Sequence, residues 1–393
     1  MFVCSDLMVG GTECQLTAVA KSLVRSGWPI SVYSLAGRGP LQAELESGGV
    51  KVIVPPVDRP SSGEFGIKRI VALAVATLHL ANVILTHRPR IAHFMLPEAY
   101  LVGAPLAILA RIPVKIMSRR SLNLYQRNGF VRKIERQLHR SMTAILGNSW
   151  SVIDQLKGEG VPSDRLGLIY NGIDLDAYTN SDSRASLREL FGIKPSTVVM
   201  CMVANLIAYK GHRDLINALA LATKRMPGDW HLLLAGRDDG IGAQLQEQAA
   251  RAGLAANISF LGSRSDIPAL LTASDIGILC SHEEGFANAI LEGMAARLPM
   301  IVTSVGGNSE AVINGVTGLI VPPKNPERLA DAIVQFANDP LKRSAYGVAG
   351  RERVAVQFGM DRCVAAYDQF YRKLLAGNAP VDIPEVRLPV RIN

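Results

Sequence analysis

Cysteine and aromatic residues are scarce in this chain, which argues against several classes of protein. The five cysteines have no paired spacing of the kind found in zinc sites or disulfide-rich secreted domains. Most lie in apolar segments, so they are predicted to be reduced residues of a cytosolic protein: Cys4, Cys14, Cys201, Cys280 and Cys363. The first residues contain no basic leader followed by a long apolar region, and we therefore expect no signal peptide and a cytoplasmic location.

Acidic residues are nearly absent from one basic segment. Residues 111–140 contain nine lysines and arginines, and Glu135 is the sole acid. The net charge of +8 lies entirely in residues 1–175, which hold 20 basic and 12 acidic residues. Such density predicts an anionic partner, either lipid headgroups or a phosphorylated acceptor. No nucleic-acid partner is expected, because few aromatic residues lie between the charges and no binding motif is present.

No apolar run reaches the roughly 20 residues needed to span a bilayer. Residues 70–85 come nearest, interrupted only by Thr77, His79 and Asn82. A helix that is apolar on all sides is either buried or lies against lipid. Burial in the first domain is the main interpretation, and contact with a membrane surface is the alternative. Residues 127–142 predict a basic amphipathic helix with Phe130, Ile134 and Leu138 on one face, which could cap a core or lie on an anionic membrane.

Short apolar runs alternate with helical patterns along the chain, which predicts an α/β fold with parallel sheets. The runs divide into two sets separated by a polar, turn-rich stretch. We therefore predict two Rossmann-like domains, at 1–175 and 197–358, joined by a linker at 176–196. A helix at 359–376 and a loose tail at 377–393 complete the chain. Ligands of such sheets bind at the carboxyl ends of the strands.

The most specific stretch of the sequence contains two glutamates eight residues apart, Glu284 and Glu292. An apolar strand ends at Cys280, and a helical pattern begins near Asn288, so Glu284 lies on a loop and Glu292 one turn into a helix. The backbone N–H groups of Phe286, Ala287 and Asn288 are predicted to face the space between the carboxylates. Helix starts of this kind bind phosphate, and carboxylates bind sugar hydroxyls, so the pattern indicates a nucleotide-sugar site.

The region from Leu261 to Pro323 resembles the donor-binding half of the retaining family 4 glycosyltransferases (glycosyl transferases group 1). The matching motifs are Leu261-Gly-Ser-Arg264, Ala273-Ser-Asp-Ile276, Glu284-Gly-Phe286, Leu291-Glu-Gly-Met-Ala295, Gly306-Gly-Asn-Ser-Glu310 and Gly318-Leu-Ile-Val-Pro-Pro323. The resemblance implies the GT-B fold, in which two Rossmann-like domains with parallel sheets face each other across a cleft. It also implies that the C-terminal helix crosses back to the first domain, and that no metal ion or other cofactor is needed.

The resemblance further implies roles for individual residues of the second domain. Glu284 would orient the donor sugar, Glu292 would hold the ribose, and Asn308 and Glu310 would lie close to the sugar. Lys210 matches a lysine that binds the donor phosphates. Asn205 occupies the place where relatives commonly carry an arginine, which weakens that contact, and Arg264 either compensates or lies near the base. A solvated loop lysine is the alternative for Lys210.

Candidates in the first domain are less specific. The glycine pair ending at Gly11 could approach the donor closely or form a plain tight turn. His93 matches the first histidine of a pattern in relatives, although Met95 replaces the second, and a buried core histidine is the alternative. Arg119 and Arg120 follow a strand and could bind a phosphate of the acceptor or donor, with a solvated basic loop as the alternative.

The sequence thus predicts a retaining glycosyltransferase that moves a sugar from a nucleotide diphosphate sugar to a glycan or lipid-linked acceptor in surface polysaccharide biosynthesis. A UDP-sugar is favoured over a GDP-sugar as donor. Segments 70–85 and 111–142 predict peripheral contact with the inner face of the cell membrane. The alternatives are a catalytically silent sugar-nucleotide-binding partner protein, which Asn205 and Met95 favour, and a GT-B nucleotide-sugar epimerase.

Overall fold

The computed structural model describes residues 1–59, 66–122, 129–179, 184–190 and 192–377. These residues form two compact units. The first unit contains Met1–Gly172 and the chain from Asp361 onward, and the second unit is Ile173–Met360. Each unit is built on one parallel sheet with flanking helices, so the predicted α/β class is confirmed.

A parallel sheet of seven described strands forms the centre of the first unit, in the order β3-β2-β1-β4-β5-β6-β7. Most strand residues are buried, as expected where helices cover a parallel sheet. The strands are β1 (Phe2–Cys4), β2 (Ser31–Ser34), β3 (Lys51–Ile53), β4 (Ile91–Met95), β5 (Val114–Arg119), β6 (Ala144–Gly147) and β7 (Leu166–Leu168). The helices are α1 (Gly11–Arg25), α2 (Gln42–Ser47), α3 (Ile67–His87), α4 (Pro97–Leu109), α5 (Gly129–His139) and α6 (Trp150–Gly158).

A second parallel sheet, with the order β10-β9-β8-β11-β12-β13 among the described strands, forms the centre of the second unit. Its strands are β8 (Val198–Val203), β9 (Trp230–Ala235), β10 (Ile258–Phe260), β11 (Ile276–Leu279), β12 (Met300–Thr303) and β13 (Gly318–Val321). Its helices are α7 (Arg184–Leu190), α8 (His212–Ala222), α9 (Gly242–Arg251), α10 (Ile267–Ala273), α11 (Asn288–Ala295), α12 (Asn308–Ala311), α13 (Pro326–Asn338) and α14 (Pro340–Gln357). The loops after β8, β9, β10 and β11 leave the sheet at its carboxyl edge.

The stretch predicted as a linker, 176–196, belongs to the second unit in its described part. Helix α7 packs against α10 within this stretch. The Arg188 side chain is buried and donates to Asp275 Oδ2 at 2.5 Å, and Arg184 pairs with the other oxygen of the same carboxylate. Two arginines of this polar stretch, one buried and one exposed, thus hold it to the rest of the second unit through Asp275.

The C-terminal helix, α15 (Met360–Leu375), packs on the first unit. The Trp28 indole N–H donates to Asp368 at 2.8 Å, and Gln15 Nε2 lies 3.9 Å from Cys363 Sγ. Its buried positions recur at helical spacing: Cys363, Val364, Tyr367, Phe370, Tyr371 and Leu374. The return of the chain to the first unit is the arrangement that the family resemblance implies. Of the predicted tail at 377–393, residues 378–393 lie outside the described part of the chain.

Helix α3 buries one side and exposes the other, so the predicted burial of residues 70–85 in the first domain holds for one side of the helix. Ala72, Ala76, Leu80, Val83 and Ile84 face the core. A stripe on the opposite side, here called the α3 stripe, is exposed: Ile67, Ile70, Val71, Leu78 and Leu85. By length and composition, α3 is the one helix among the described residues that could cross a bilayer, and 28% of its apolar window is buried in the protein.

Helix α5 exposes two of its apolar residues and buries two of its polar residues, whereas Leu138 of the predicted apolar face is partly buried against the core. Phe130 is 71% exposed and Ile134 is 38% exposed, whereas Glu135 and His139 are buried. The predicted helix at 127–142 therefore does not cap a core with Phe130 and Ile134. Arg127 lies outside the described residues.

Candidate active site

Lys210 and Glu284 form an ion pair at the carboxyl edge of the second sheet. Lys210 ends a short helical turn after β8, Glu284 lies in the loop after β11, and Lys210 Nζ donates to Glu284 Oε1 at 2.6 Å. The Ser281 hydroxyl donates to the same carboxylate oxygen at 2.7 Å. Burial opposes the ammonium charge, but the adjacent Glu284 carboxylate outweighs it and raises the pKa of Lys210. Lys210 is therefore cationic at neutral pH.

Two glycines in left-handed backbone conformations bring neighbouring loops against this pair. Gly211 has φ of 79°, and a Cβ there would collide with the Cys280 carbonyl oxygen. Gly306 has φ of 50°, and a Cβ there would collide with the Glu284 carbonyl oxygen. Only glycine allows both the conformation and the close approach. The loops after β8, β11 and β12 are thereby held together around Glu284.

Glu292 lies on α11, whose N-terminus has no side-chain cap. Burial raises the pKa of Glu292 to about 7, so its carboxyl group is partly protonated near neutral pH. Phe286, before the helix, is buried and packs on Phe358 with ring centroids 5.4 Å apart. Ala287 and Asn288 are partly exposed at the helix start. The side chain of Phe286 thus belongs to the core. The role predicted for this residue at the site belongs to its backbone N–H group.

Asn308 and Glu310 lie in the short helix α12 and are both buried. Asn308 Nδ2 donates to the Thr303 carbonyl oxygen at 3.2 Å. Its Oδ1 atom is buried without a hydrogen-bond partner among the described residues. An unsatisfied buried acceptor is costly, so a hydroxyl or N–H group of a bound ligand would stabilise this position.

Asn205 follows β8, and its side chain contacts the backbone of the next loop. Asn205 Oδ1 accepts a hydrogen bond from the Arg237 backbone N–H at 3.1 Å. Arg264 in the loop after β10 is held by its own neighbour, with Nε 2.8 Å from Asp266 Oδ1. Asp238 Oδ1 accepts from the backbone N–H groups of residues 240–242, and so it acts as a turn residue. Among the described residues, no group of three His, Cys, Asp or Glu side chains is arranged to hold a metal ion.

In the first unit, His93 is a buried residue with both ring nitrogens occupied. His93 Nδ1 lies 2.7 Å from Tyr371 Oη, and Nε2 lies 2.6 Å from Ser118 Oγ. Burial lowers the pKa of His93 to about 3, so the ring is neutral at physiological pH. His93 thus has the environment of the buried core histidine that was the alternative, joining β4 to β5 and α15, and its catalytic role stays a prediction.

Arg119 and Arg120 have different environments. Arg119 is 2% exposed, donates to Glu159 Oε1 at 2.9 Å and lies 3.6 Å from Glu135 Oε2. Its guanidinium is thus paired with carboxylates inside the protein, and its assignment to a substrate phosphate stays a prediction. Arg120 is partly exposed and donates to Asn171 Oδ1 at 2.5 Å. Gly11 is exposed at the first residue of α1. Arg120 and Gly11 therefore remain accessible to ligands.

The two halves of the chain match two sequence models of known families. Residues 9–177 match "Glycosyltransferase Family 4", and residues 183–353 match "Glycosyl transferases group 1". The chain belongs to the family 4 glycosyltransferases. The family predicted from the motifs around Glu284 and Glu292 is thus confirmed.

Curated relatives of this glycosyltransferase act on different substrates, according to their names. The D-inositol 3-phosphate glycosyltransferase of Corynebacterium diphtheriae is 26% identical over 88% of this chain and 86% of its own length. The lipopolysaccharide core biosynthesis mannosyltransferase LpsB of Rhizobium meliloti is 28% identical over 61% of this chain and 68% of its own length. Both relationships are distant.

Solved structures support the fold of this glycosyltransferase. HepE from Anabaena, crystallised with UDP-glucose, matches with a TM-score of 0.82 at 23% identity, over 94% of this chain and 98% of HepE. At this identity the similarity establishes the fold, and with the two parallel sheets it identifies the GT-B fold.

Several site residues of this glycosyltransferase were not predicted from the sequence. Ser281 supports Glu284, Tyr209 lies with its ring centroid 5.2 Å from Lys210 Nζ, and Arg237 lies beside Asn205. The sequence does contain a signal for Ser281, because it is the first polar residue after the apolar run that forms β11. Arg237 had a weaker signal: it is a basic residue two positions beyond a predicted strand. Arg237 contacts Asn205 because β9 lies beside β8 in the sheet. The sequence alone does not show which strands are neighbours.

Proposed function

We propose that this glycosyltransferase transfers a sugar from a UDP-sugar to a glycan or lipid-linked acceptor, with retention of anomeric configuration, in surface polysaccharide biosynthesis. The observation that carries the proposal is the 2.6 Å bond between Lys210 Nζ and Glu284 Oε1 at the carboxyl edge of the second sheet. It places a cation suited to phosphate beside a carboxylate suited to sugar hydroxyls. In a nucleotide diphosphate sugar the diphosphate is bonded directly to the sugar. Such a donor therefore matches a cation and a carboxylate that lie side by side.

The proposed reaction breaks the bond between the anomeric carbon and the phosphate oxygen. The electron pair of that bond leaves with UDP, the acceptor hydroxyl oxygen bonds to the same face of the sugar, and its proton passes to the leaving phosphate oxygen. Lys210 stabilises the negative charge that develops on the phosphate, and the uncapped start of α11 adds to this stabilisation. No metal ion takes part in this scheme, and we expect activity in the presence of a chelator.

The surrounding residues are assigned to the rest of the donor. Glu284 accepts hydrogen bonds from the sugar hydroxyls while Ser281 holds its other side. The unpartnered Asn308 Oδ1 accepts from a further hydroxyl. Glu292 binds the ribose as a carboxylate. The preference for UDP is supported by HepE, which has been crystallised with UDP and with UDP-glucose.

Arg120 is proposed to bind an anionic group on the acceptor. It is the arginine of the Arg119–Arg120 pair that is not enclosed by two carboxylates. The name of the Corynebacterium relative includes a phosphorylated substrate, D-inositol 3-phosphate, which is consistent with an acceptor phosphate in this family. A lipid-linked acceptor would present the same chemistry through its own phosphate.

We propose that the protein is cytoplasmic and contacts the anionic inner face of the cell membrane through 70–85 and 111–142. The α3 stripe supplies exposed apolar side chains. On α5, Phe130 and Ile134 are exposed together with Arg132, Lys133 and Arg136. Apolar contact and positive charge are the two features that bind a helix to an anionic lipid surface.

The function is tested first by ligand-induced thermal shift with UDP, GDP, ADP and their common sugars, without added metal. UDP is expected to raise the melting temperature of the wild type, because a ligand of the native state stabilises it. Glu292→Ala should reduce this thermal shift. Arg225→Ala is the control: it removes an exposed arginine of the same unit that is distant in sequence from Glu292, and the shift should be preserved. A shift with GDP alone would change the nucleotide assignment.

Product analysis then distinguishes the enzyme from its alternatives. Retention is established by NMR of the anomeric linkage formed from a UDP-sugar of known configuration. A new free sugar released from donor and water alone would identify an epimerase. A nucleotide-induced shift without sugar transfer to any acceptor would favour the catalytically silent sugar-nucleotide-binding partner protein, the interpretation that Asn205 supports.

A further inference from the structure

The proposed donor site has few positively charged side chains that could bind a diphosphate. Lys210, the one cation in the loop between β8 and α8, is already paired with Glu284. Asn205, five residues earlier, has a neutral side chain. A nucleoside diphosphate carries two to three negative charges, so a second cation at this edge would stabilise it substantially.

The fold places Arg237 beside Asn205. Strand β9 is the direct neighbour of β8, and their register runs to Val203 opposite Ala235. Beyond the strands, Arg237 N–H donates to Asn205 Oδ1 at 3.1 Å, and its carbonyl oxygen accepts from Leu206 N–H at 2.8 Å. The backbone of Arg237 is therefore fixed on both sides against the loop that leads to Lys210.

Gly236 permits this close approach. A Cβ at Gly236 would collide with the carbonyl oxygen of Ala204. The glycine thus holds the loop after β9 tightly against the loop after β8. The position of Arg237 relative to Asn205 is consequently a fixed feature of the fold.

The Arg237 guanidinium can be released to a ligand at little cost. Its side chain is 48% exposed, with Nε 2.7 Å and Nη2 3.2 Å from the two oxygens of Asp239. Exposed ion pairs of this kind contribute little to stability. A guanidinium matches the oxygens of phosphate in the same two-pronged geometry that it now uses with carboxylate.

Arg264 is less suited to the same task. It lies in the loop after β10, and the sheet order β10-β9-β8 places that loop one strand further from Lys210. Its guanidinium is paired with both oxygens of Asp266 at 2.8 Å and 2.5 Å, as that of Arg237 is with Asp239, so the position of its loop is what distinguishes Arg264. In the order of the loops, Arg237 is the basic residue nearest to Asn205 and Lys210.

We propose that Arg237 binds the diphosphate of the nucleotide donor, providing the charge that Asn205 lacks, and that Asp239 holds the guanidinium when the donor is absent. The inference rests on the proposed function, since it assumes a nucleoside diphosphate donor. Arg237 is then a binding residue, and Asp239 is a positioning residue that competes with the ligand.

The test measures the affinity of the full-length protein for UDP and for uridine by calorimetry. Arg237→Gln should weaken UDP binding about tenfold and leave uridine binding unchanged, because only UDP carries the phosphates. The variant should also show a shallower loss of UDP affinity with rising salt. Asp239→Asn should bind UDP at least as tightly as the wild type. Arg251→Gln, which removes an exposed arginine paired with Glu247 in the same unit, is the matched control.

Three results would overturn the inference. The first is UDP affinity in Arg237→Gln equal to that of the wild type. The second is an equal loss for UDP and uridine, which would indicate a damaged loop. The third is an equal weakening of UDP binding by Asp239→Asn, which would make the Arg237–Asp239 pair a structural element. Failure of the wild type to bind any nucleoside diphosphate would instead remove the proposed function, and the inference with it.

Discussion

Glu292 is the residue of the proposed donor site whose charge depends most strongly on burial. The ordinary pKa of its carboxyl group, 4.5, rises to about 7 because the folded chain removes it from water. Between these two values, the native protein binds a proton at this position that the unfolded chain does not bind. Stability should therefore fall as the pH rises from about 4.5 to about 7.

The first prediction concerns this pH dependence. We expect Glu292→Gln to remove a destabilisation on the order of 3 kcal/mol at pH 8, because glutamine has no charge to bury. At pH 5, wild type and variant should have similar stability. Urea unfolding at both pH values, followed by the signal of the second unit, provides the measurement. The same difference in free energy of unfolding between wild type and variant at pH 5 and at pH 8 would contradict the raised pKa of Glu292.

Ligand binding should have the opposite pH dependence. If the Glu292 carboxylate accepts hydrogen bonds from the ribose, UDP affinity should rise with pH through 7, since deprotonation prepares the acceptor. Calorimetric titration of the wild type at pH 6 and pH 8 can measure this rise. In Glu292→Gln, the same titrations should give two similar, weaker affinities.

Arg119 and Arg120 allow a second prediction at the scale of residues. Arg119→Ala should destabilise the protein by about 3 kcal/mol, because it leaves Glu135 and Glu159 buried without their cation. Arg120→Ala should cost about 1 kcal/mol or less and should lower turnover of an anionic acceptor instead. Denaturation curves and acceptor KM values for both variants separate the two roles. Equal effects of the two substitutions on stability would contradict the distinction.

At the scale of elements, α3 and α5 share an unusual feature, since each exposes apolar side chains beside basic ones. On α3, the stripe from Ile67 to Leu85 extends along one side for roughly 27 Å, given the rise of about 1.5 Å per helical residue. On α5, inward-facing Glu135 and His139 join the cluster around Arg119 and turn Phe130 and Ile134 outward. Both orientations result from burial of the opposite face.

The third prediction tests the α3 stripe. Leu78→Ser together with Leu85→Ser should reduce co-sedimentation with vesicles of phosphatidylcholine and phosphatidylserine at low salt, because the apolar contact is lost. The free energy of unfolding should change little, since both side chains are exposed. Leu341→Ser, at an 83% exposed leucine of the second unit, is the matched control. Unchanged vesicle binding by the double variant would exclude the α3 stripe from the membrane contact.

At the scale of the whole molecule, the division into two units does not follow the order of the chain. The last described helix, α15, returns to the first unit and contributes Tyr367, Phe370 and Tyr371 to its buried residues. The hydrogen bond from α15 to His93 crosses 278 positions of sequence. The first unit is therefore complete only when α15 has been made.

The fourth prediction is that truncation after Met360 destabilises the first unit selectively. Removal of α15 exposes the apolar side chains that it covers and leaves His93 Nδ1 without Tyr371 Oη. Limited proteolysis should then cut within residues 1–172 while the second unit persists. Tyr371→Phe is a milder test of the same contact, and we expect it to lower the free energy of unfolding by about 1 kcal/mol. Equal protease resistance of the truncated and full-length chains would contradict this account.

Much of the architecture was predictable because its signals are local. The runs 276–279, 300–303 and 318–321 each border a polar residue or a proline and predict strands with the same bounds as β11, β12 and β13. The run 168–170 also predicts a strand, but β7 begins two residues earlier, at Leu166, and includes Gly167, which packs against Leu146 and Phe370. A glycine inside a strand weakens the local signal, although tertiary packing can require it.

The sequence by itself determined the fold class and the family, because periodicity and motif spacing are properties of neighbouring residues, and the place of the donor site stays a prediction. Tertiary structure decided which residues meet. Lys210 and Glu284 are 74 positions apart, and Arg237 lies beside Asn205 only because β9 pairs with β8. It also decided that His93 and Arg119 are enclosed by the core while Phe130 faces outward. Burial and pairing depend on the packing of distant segments, and no local pattern contains that information.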